Sequence, residues 1–149
     1  MLTQIQLGDN PIGRGCEIWP NGRANQKLSG IRVLVVEDEA IIAFLIEELL
    51  KDFGCAVVGI AGSLRRGLTV VEDRSIAIDG AILDVSLGSE MSYPVASRLS
   101  DRGVPFLFCT AFGHTGVAPH FAHVPVLIKP FLPGDLEQLL VSTFVKGWV

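Results

Sequence analysis

At 149 residues, with 49% hydrophobic side chains, the chain is long enough to bury one core without disulfides or structural metal. A formal net charge of −4 offers no cationic surface to a polyanion, which argues against nucleic-acid binding. The amino terminus lacks the basic-then-apolar order of an export signal, and no run of about eighteen apolar residues occurs, so neither export nor a membrane span is expected.

Residues 1–30 carry seven glycines and prolines with little periodicity and read as a tail or linker. Within it, Trp19-Pro20 reads as part of a disordered tail ahead of a partner anchor. From residue 31 to 145, apolar strand-like runs at 31–36, 55–60, 78–84, 104–109 and 124–128 alternate with helical patterns at 40–53, 63–72, 93–101, 115–121 and 133–145. Residues 146–149 remain as a short tail. In the first helix, Ile41, Ile42, Leu45, Ile46, Leu49, Leu50 and Phe53 form a stripe expected to pack on a sheet, and Gly54 ends it. Ser63 is suited to cap the second helix, Pro94 to the first turn of the third, Gly103 to the turn after it, and Pro133 to opening the last. The fourth is short and weakly patterned. Five strands alternating with five helices imply right-handed crossovers and a doubly wound parallel α/β sheet, whose strand order alternation alone leaves open. Cys16, Cys55 and Cys109 are an odd count without disulfide or zinc spacing, which fits a reducing cytoplasm.

Three of the strand-like runs finish in charge: Val33-Leu34-Val35-Val36 in Glu37-Asp38-Glu39, Ala81-Ile82-Leu83 in Asp84, and Val124-Pro125-Val126-Leu127-Ile128 in Lys129. Ligands of open α/β sheets gather at the carboxyl ends of the strands, so these charges are expected to share one ionic site. Adjacent carboxylates repel, and a divalent cation with hard oxygen ligands offsets that repulsion; Mg2+, held directly by Asp38 and Asp84, suits the set. An aspartate oxygen can attack phosphorus to give an acyl phosphate when cations cancel charge on the equatorial oxygens, and Lys129 with the hydroxyl of Thr110 fits that duty. Taken singly, the acidic run reads as a solvated helix start and Lys129 as a surface charge; their joint occurrence at strand ends carries the inference. His114, His120 and His123 have no Cys or carboxylate among them and read as solvated loop residues.

The pattern resembles the phosphoacceptor receiver domain of two-component response regulators. The resemblance covers residues 31 to 145 and rests on Val36-Glu37-Asp38-Glu39, Leu83-Asp84, Thr110-Ala111 and Lys129-Pro130-Phe131. It implies a flavodoxin-like sheet in the order 2-1-3-4-5, a topology for which a receiver serves as a standard example. It also implies Asp84 as phosphoacceptor, Glu37 and Asp38 as the acidic pair, a backbone carbonyl of the Val85 or Ser86 region as a magnesium ligand, and a cis bond before Pro130. A narrower likeness lies in Pro105-Phe106-Leu107-Phe108-Cys109-Thr110-Ala111-Phe112, similar to the Pro-Phe-x-Phe-Ala-Thr-Gly-Tyr signature of a receiver subgroup, often single-domain, partnered with HWE-type histidine kinases. Cys109, Ala111 and Phe112 depart from it, and Val126 stands three places before Lys129, where receivers carry an aromatic switch residue. Phe112 is expected to take over that switch role alongside Thr110.

The resemblance implies a cytoplasmic, non-enzymatic signalling domain. It accepts a phosphoryl group from a histidine kinase or histidine phosphotransfer protein with Mg2+ and passes the signal to a downstream protein through residues 112–145, with a homodimer as one form of contact. With few residues after the last helix, no separate output domain is expected. Two rivals stand beside this reading. One is a receiver portion of a hybrid kinase, or a module that binds without phosphorylation. The other is an aspartate-nucleophile phosphatase, which needs a second aspartate two residues after the first, where this chain has Ser86.

Overall fold

The computed structural model describes residues 25–145; Cys16, Trp19 and the expected tail residues 1–24 and 146–149 lie outside the described residues. Five strands, β1 (Arg32–Val36), β2 (Ala56–Ala61), β3 (Gly80–Asp84), β4 (Phe106–Thr110) and β5 (Val126–Ile128), pair in parallel in the order β2-β1-β3-β4-β5. This is the expected flavodoxin-like order. The helices are α1 (Ala40–Asp52), α2 (Leu64–Glu72), α3 (Tyr93–Asp101) and α4 (Pro133–Leu140). No helix among the described residues is long and apolar enough to cross a membrane.

Every residue of β3 and β4 is buried, as are the last four of β1, because helices cover both sheet faces. Side chains alternate between two cores as the pleat requires. Leu34, Val36, Leu83, Phe106 and Phe108 pack with Val71, Val95 and Leu99 of α2 and α3. Val33, Val35, Ile82 and Leu107 pack with Ile46, Leu50, Leu136 and Leu140 of α1 and α4. Gly80 opens β3 where a Cβ would stand 2.7 Å from the Phe144 ring, so no larger residue fits there without movement.

Four expectations need correction. The fourth helix does not form: residues 113–121 make two 3-10 turns, Gly113–Gly116 and Pro119–Phe121. Pro119 lacks an amide hydrogen and holds Ala118 extended, so an α-helix cannot run through it. Among the described residues the fold thus has four α-helices, not five. In α1 the buried face is Ala43, Ile46, Leu49 and Leu50, followed by Phe53, while Ile41 and Leu45 of the expected stripe are 83% and 43% exposed. The last helix widens after Leu140 into a π turn, Val141–Val145. Finally, Leu28 is fully buried in the α1/α4 core although it falls in the stretch read as a tail. A 3-10 turn, Gln26–Leu28, brings it there, and Asn25 pins the turn by donating from its side-chain amide to Glu137 Oε2 at 2.8 Å.

The capping expectations hold. Ser63 Oγ accepts from the Arg66 amide, Pro94 and Pro133 sit in the first turns of α3 and α4, and Gly54 and Gly103 take the left-handed conformation at the helix ends.

Because Leu28 fills the core, Leu28→Ala is expected to cost about 2–5 kcal/mol, read as a fall in the denaturant midpoint. A midpoint unchanged from wild type would return residues 25–30 to the tail.

Candidate functional site

The carboxyl ends of the parallel strands lie along one edge of the sheet and deliver the predicted charges together. Glu37 follows β1 and is 2% exposed, Asp84 ends β3 at 8%, and Thr110 ends β4 at 2%. Lys129 follows β5, where its amide donates to the Thr110 carbonyl at 2.8 Å and its peptide bond to Pro130 is cis. Its ammonium donates to Glu37 Oε1 at 2.8 Å and to Asp84 Oδ2 at 3.1 Å, and stands 3.6 Å from Glu39. The other oxygen of each carboxyl is also used: Glu37 Oε2 accepts from the Glu39 amide and Asp84 Oδ1 from the Ser86 amide.

Three carboxyl groups, those of Glu37, Glu39 and Asp84, therefore crowd one ammonium, and the Asp38 carboxyl lies beside those of Glu37 and Asp84. Burial pushes the Glu37 carboxyl up to about 7, overcoming the opposing hydrogen bond from Lys129. Burial acts to weaken the Lys129 ammonium, but its hydrogen bond to Glu37 and the charge of Asp84 outweigh that and hold the lysine protonated. The edge carries more carboxyl groups than cations, and the burial that raises Glu37 favours its protonated form. Glu37, Asp38 and Asp84 each bring an oxygen within 4.8 Å of the others, among the described residues the one grouping of three or more metal-ligating side chains. These hard oxygens fit a magnesium ion, which would supply the missing charge.

Beside the carboxylates opens a cleft of about 300 Å³, walled by Asp84, Ser86, Thr110, Phe112 and Lys129. Thr110 Oγ1 accepts from the Phe112 amide at 3.2 Å, which ties the threonine to the loop that follows it. Phe112 is 71% exposed at the cleft rim, whereas Val126 is half-buried and packs on the α2/α3 core. Every residue expected at the site thus lies at or around this cleft, Pro130 as an exposed neighbour of Lys129. The two-strand ribbon Ser86–Leu87 with Glu90–Met91 at the cleft mouth was missed, since strands this short leave no periodicity; the left-handed Gly88 at its turn is the one signal. Cys109, beside Thr110, faces the opposite core, and burial pushes its thiol up to about 12, which leaves it unreactive. The three histidines are exposed and stand outside the carboxylate grouping.

No family model matches the chain. It is 31% identical over 120 residues to the transcriptional regulatory protein PdtaR of Mycobacterium tuberculosis, covering 76% of this chain and 58% of that protein. Among solved structures, SdrG from Sphingomonas melonis is 38% identical, with a TM-score of 0.68 over 76% of this chain and 95% of that one, and a BeF3-activated conformation of SdrG is also known. The response regulator PhyR from Brucella abortus is 27% identical, with a TM-score of 0.67 over 78% of this chain and 49% of that one. The chain spans about half the length of PdtaR and of PhyR, and nearly all of SdrG.

The raised Glu37 carboxyl fixes the sign of a pH effect in cation-free buffer. Between its ordinary value of 4.5 and about 7, the folded protein keeps a proton the unfolded chain has released. The stability from this group is therefore full at lower pH and is lost as pH rises through about 7. Denaturation at about pH 5 and about pH 8 is expected to differ by on the order of 2–3 kcal/mol, and Glu37→Gln, with no proton to lose, to remove most of the difference. An equal slope in the variant would contradict this.

Proposed function

The chain belongs to the response regulator receiver family, and on that premise we propose that it takes a phosphoryl group onto Asp84, with Mg2+ beside it, and signals by protein contact. The observation that carries the reading is the Lys129 ammonium, shared by the carboxylates of Glu37 and Asp84 at the floor of an open cleft.

Asp84 lines the cleft, and one of its carboxylate oxygens bonds to phosphorus as the P–N bond of a donor phosphohistidine breaks and the imidazole leaves with the electron pair. Lys129 then follows the charge from the carboxylate onto the phosphoryl oxygens, and the Thr110 hydroxyl donates to one of them. Glu37, Asp38 and Asp84, with a backbone carbonyl at Ser86, would hold the magnesium ion, which supplies positive charge to the equatorial oxygens. Ser86 stands two residues after Asp84, where an aspartyl phosphatase would need a second acid, and this supports an acceptor over a hydrolase.

The donor is a histidine kinase, of HWE type by the likeness of residues 105–112, or a histidine phosphotransfer protein. The receiver unit runs from 31 to 145, extended by the packed turn at 25–30, and works in the cytoplasm. Its partner is a downstream protein, or a second copy of the chain, meeting residues 112–145. With Val126 half-buried against the core, Phe112 at the rim is the residue whose exposure changes with Thr110.

Incubation with a small phosphodonor and Mg2+ tests the assignment by intact mass. Wild type is expected to gain one phosphoryl group and Asp84→Asn none. A folded wild type that gains nothing from either the small donor or a phosphorylated kinase, or a variant that gains as much as wild type, would overturn it.

A further inference from the structure

The loop between β4 and β5 holds few packing contacts of its own. Of residues 111–120 none is buried, and Phe121 is the first core side chain after Thr110. Its two 3-10 turns are joined through Val117 and Ala118, and at that joint both turns meet a side chain from elsewhere. The Tyr93 hydroxyl donates to the Gly116 carbonyl at 3.3 Å and accepts from the Ala118 amide at 2.8 Å. The Tyr93 ring stacks on Phe121, centroids 5.3 Å apart, and meets Phe108 edge-on at 6.0 Å.

Tyr93 is connected to the site from both sides. It is the first residue of α3, directly after Ser92, whose amide donates to the carbonyl of Val85, the neighbour of Asp84. On the other side, the Phe112 amide donates to Thr110 Oγ1, the Thr115 hydroxyl donates to the Phe112 carbonyl, and Gly116 lies so close that a Cβ there would stand 2.7 Å from Phe112 Cβ. Thr110, Phe112, residues 115–116 and the Tyr93 hydroxyl thus form one continuous run of contacts.

We propose that Tyr93 is the positioning residue that holds the 113–121 loop in its resting arrangement and yields it when Thr110 turns toward a phosphoryl group, a role resting on the acceptor reading of Asp84. When the Thr110 hydroxyl reorients, the Phe112 amide loses its acceptor and the Phe112–Gly116 turn moves off the tyrosine. The groups released are the Tyr93 hydroxyl and backbone groups of a half-buried loop, where water can replace the lost partners, so the two arrangements lie close in free energy. The ring stack on Phe121 anchors the far end, and the hydroxyl sets where the near end sits.

Amide hydrogen exchange with and without BeF3 and Mg2+, on wild type and Tyr93→Phe, tests this, since phenylalanine keeps the stack and loses only the hydroxyl. In wild type, the Ala118 amide is expected to be protected and to lose protection when BeF3 saturates Asp84. In Tyr93→Phe, Ala118 is expected to exchange roughly tenfold faster from the outset, with little further change on BeF3, while core amides such as Leu83 keep their wild-type rate. Core amides speeding up together with Ala118 would make Tyr93 merely structural and overturn the proposal. So would an Ala118 rate in the variant within about twofold of wild type. A normal BeF3 response at Asp84 with wild-type Ala118 still protected would overturn the switch alone. No response at Asp84 in either chain would remove the acceptor reading and the switch with it.

Discussion

One ammonium held between carboxyl groups from two other strands is the constraint on which this edge of the molecule depends. Lys129 reaches Glu37 and Asp84 because β5, β1 and β3 run parallel and end at a common level, so the pairing order of the sheet is also the wiring of the site. A single positive charge does not neutralise the acids around it. Burial, with the nearby Asp84 carboxylate adding to it, raises the Glu37 carboxyl despite its hydrogen bond from Lys129. Buried ion pairs seldom add net stability, because desolvation offsets their attraction. An arrangement costly to fold and short of positive charge makes sense as a receptacle for a cation and an anionic group together.

The cleft is also where rigid and movable parts meet. Its floor is strand ends buried on both faces; its rim is Phe112, the 86–91 ribbon and the loop of 3-10 turns, with almost no buried side chains. Floor groups hold position for chemistry, whereas rim segments have little packing to oppose a shift. Thr110 belongs to both, buried at the end of β4 yet accepting from the Phe112 amide in the loop. Charge arriving at the floor thus has a direct mechanical route to the surface. The contacts that lead from Thr110 toward the surface run through Phe112, Thr115 and Gly116.

The strands were legible because a strand covered on both faces shows in sequence as an unbroken apolar run, and the site because four of the five runs stop in a charge or hydroxyl. Where the sequence misled, tertiary context or local chemistry decided. Ile41 and Leu45 fit a helical stripe, yet the sheet takes only the arc from Ala43 to Leu50, leaving them in solvent. Pro119 and the glycines around it divided an apparent fourth helix into two turns. Leu28 stood alone among glycines and polar residues, and no periodic pattern announces one side chain plugging a core. The Tyr93 tether was invisible because its partners are backbone groups more than twenty positions away.

Magnesium affinity is the most direct measure of whether the edge is built to receive a cation. A Mg2+ titration followed through the backbone amide shifts of Asp84 and Ser86 is expected to saturate in wild type, and to weaken by at least about tenfold in Asp38→Asn, which removes one of three converging carboxylates. Shifts that never saturate, or an affinity unaffected by Asp38→Asn, would contradict the account of this edge as a charge-deficient site completed by metal.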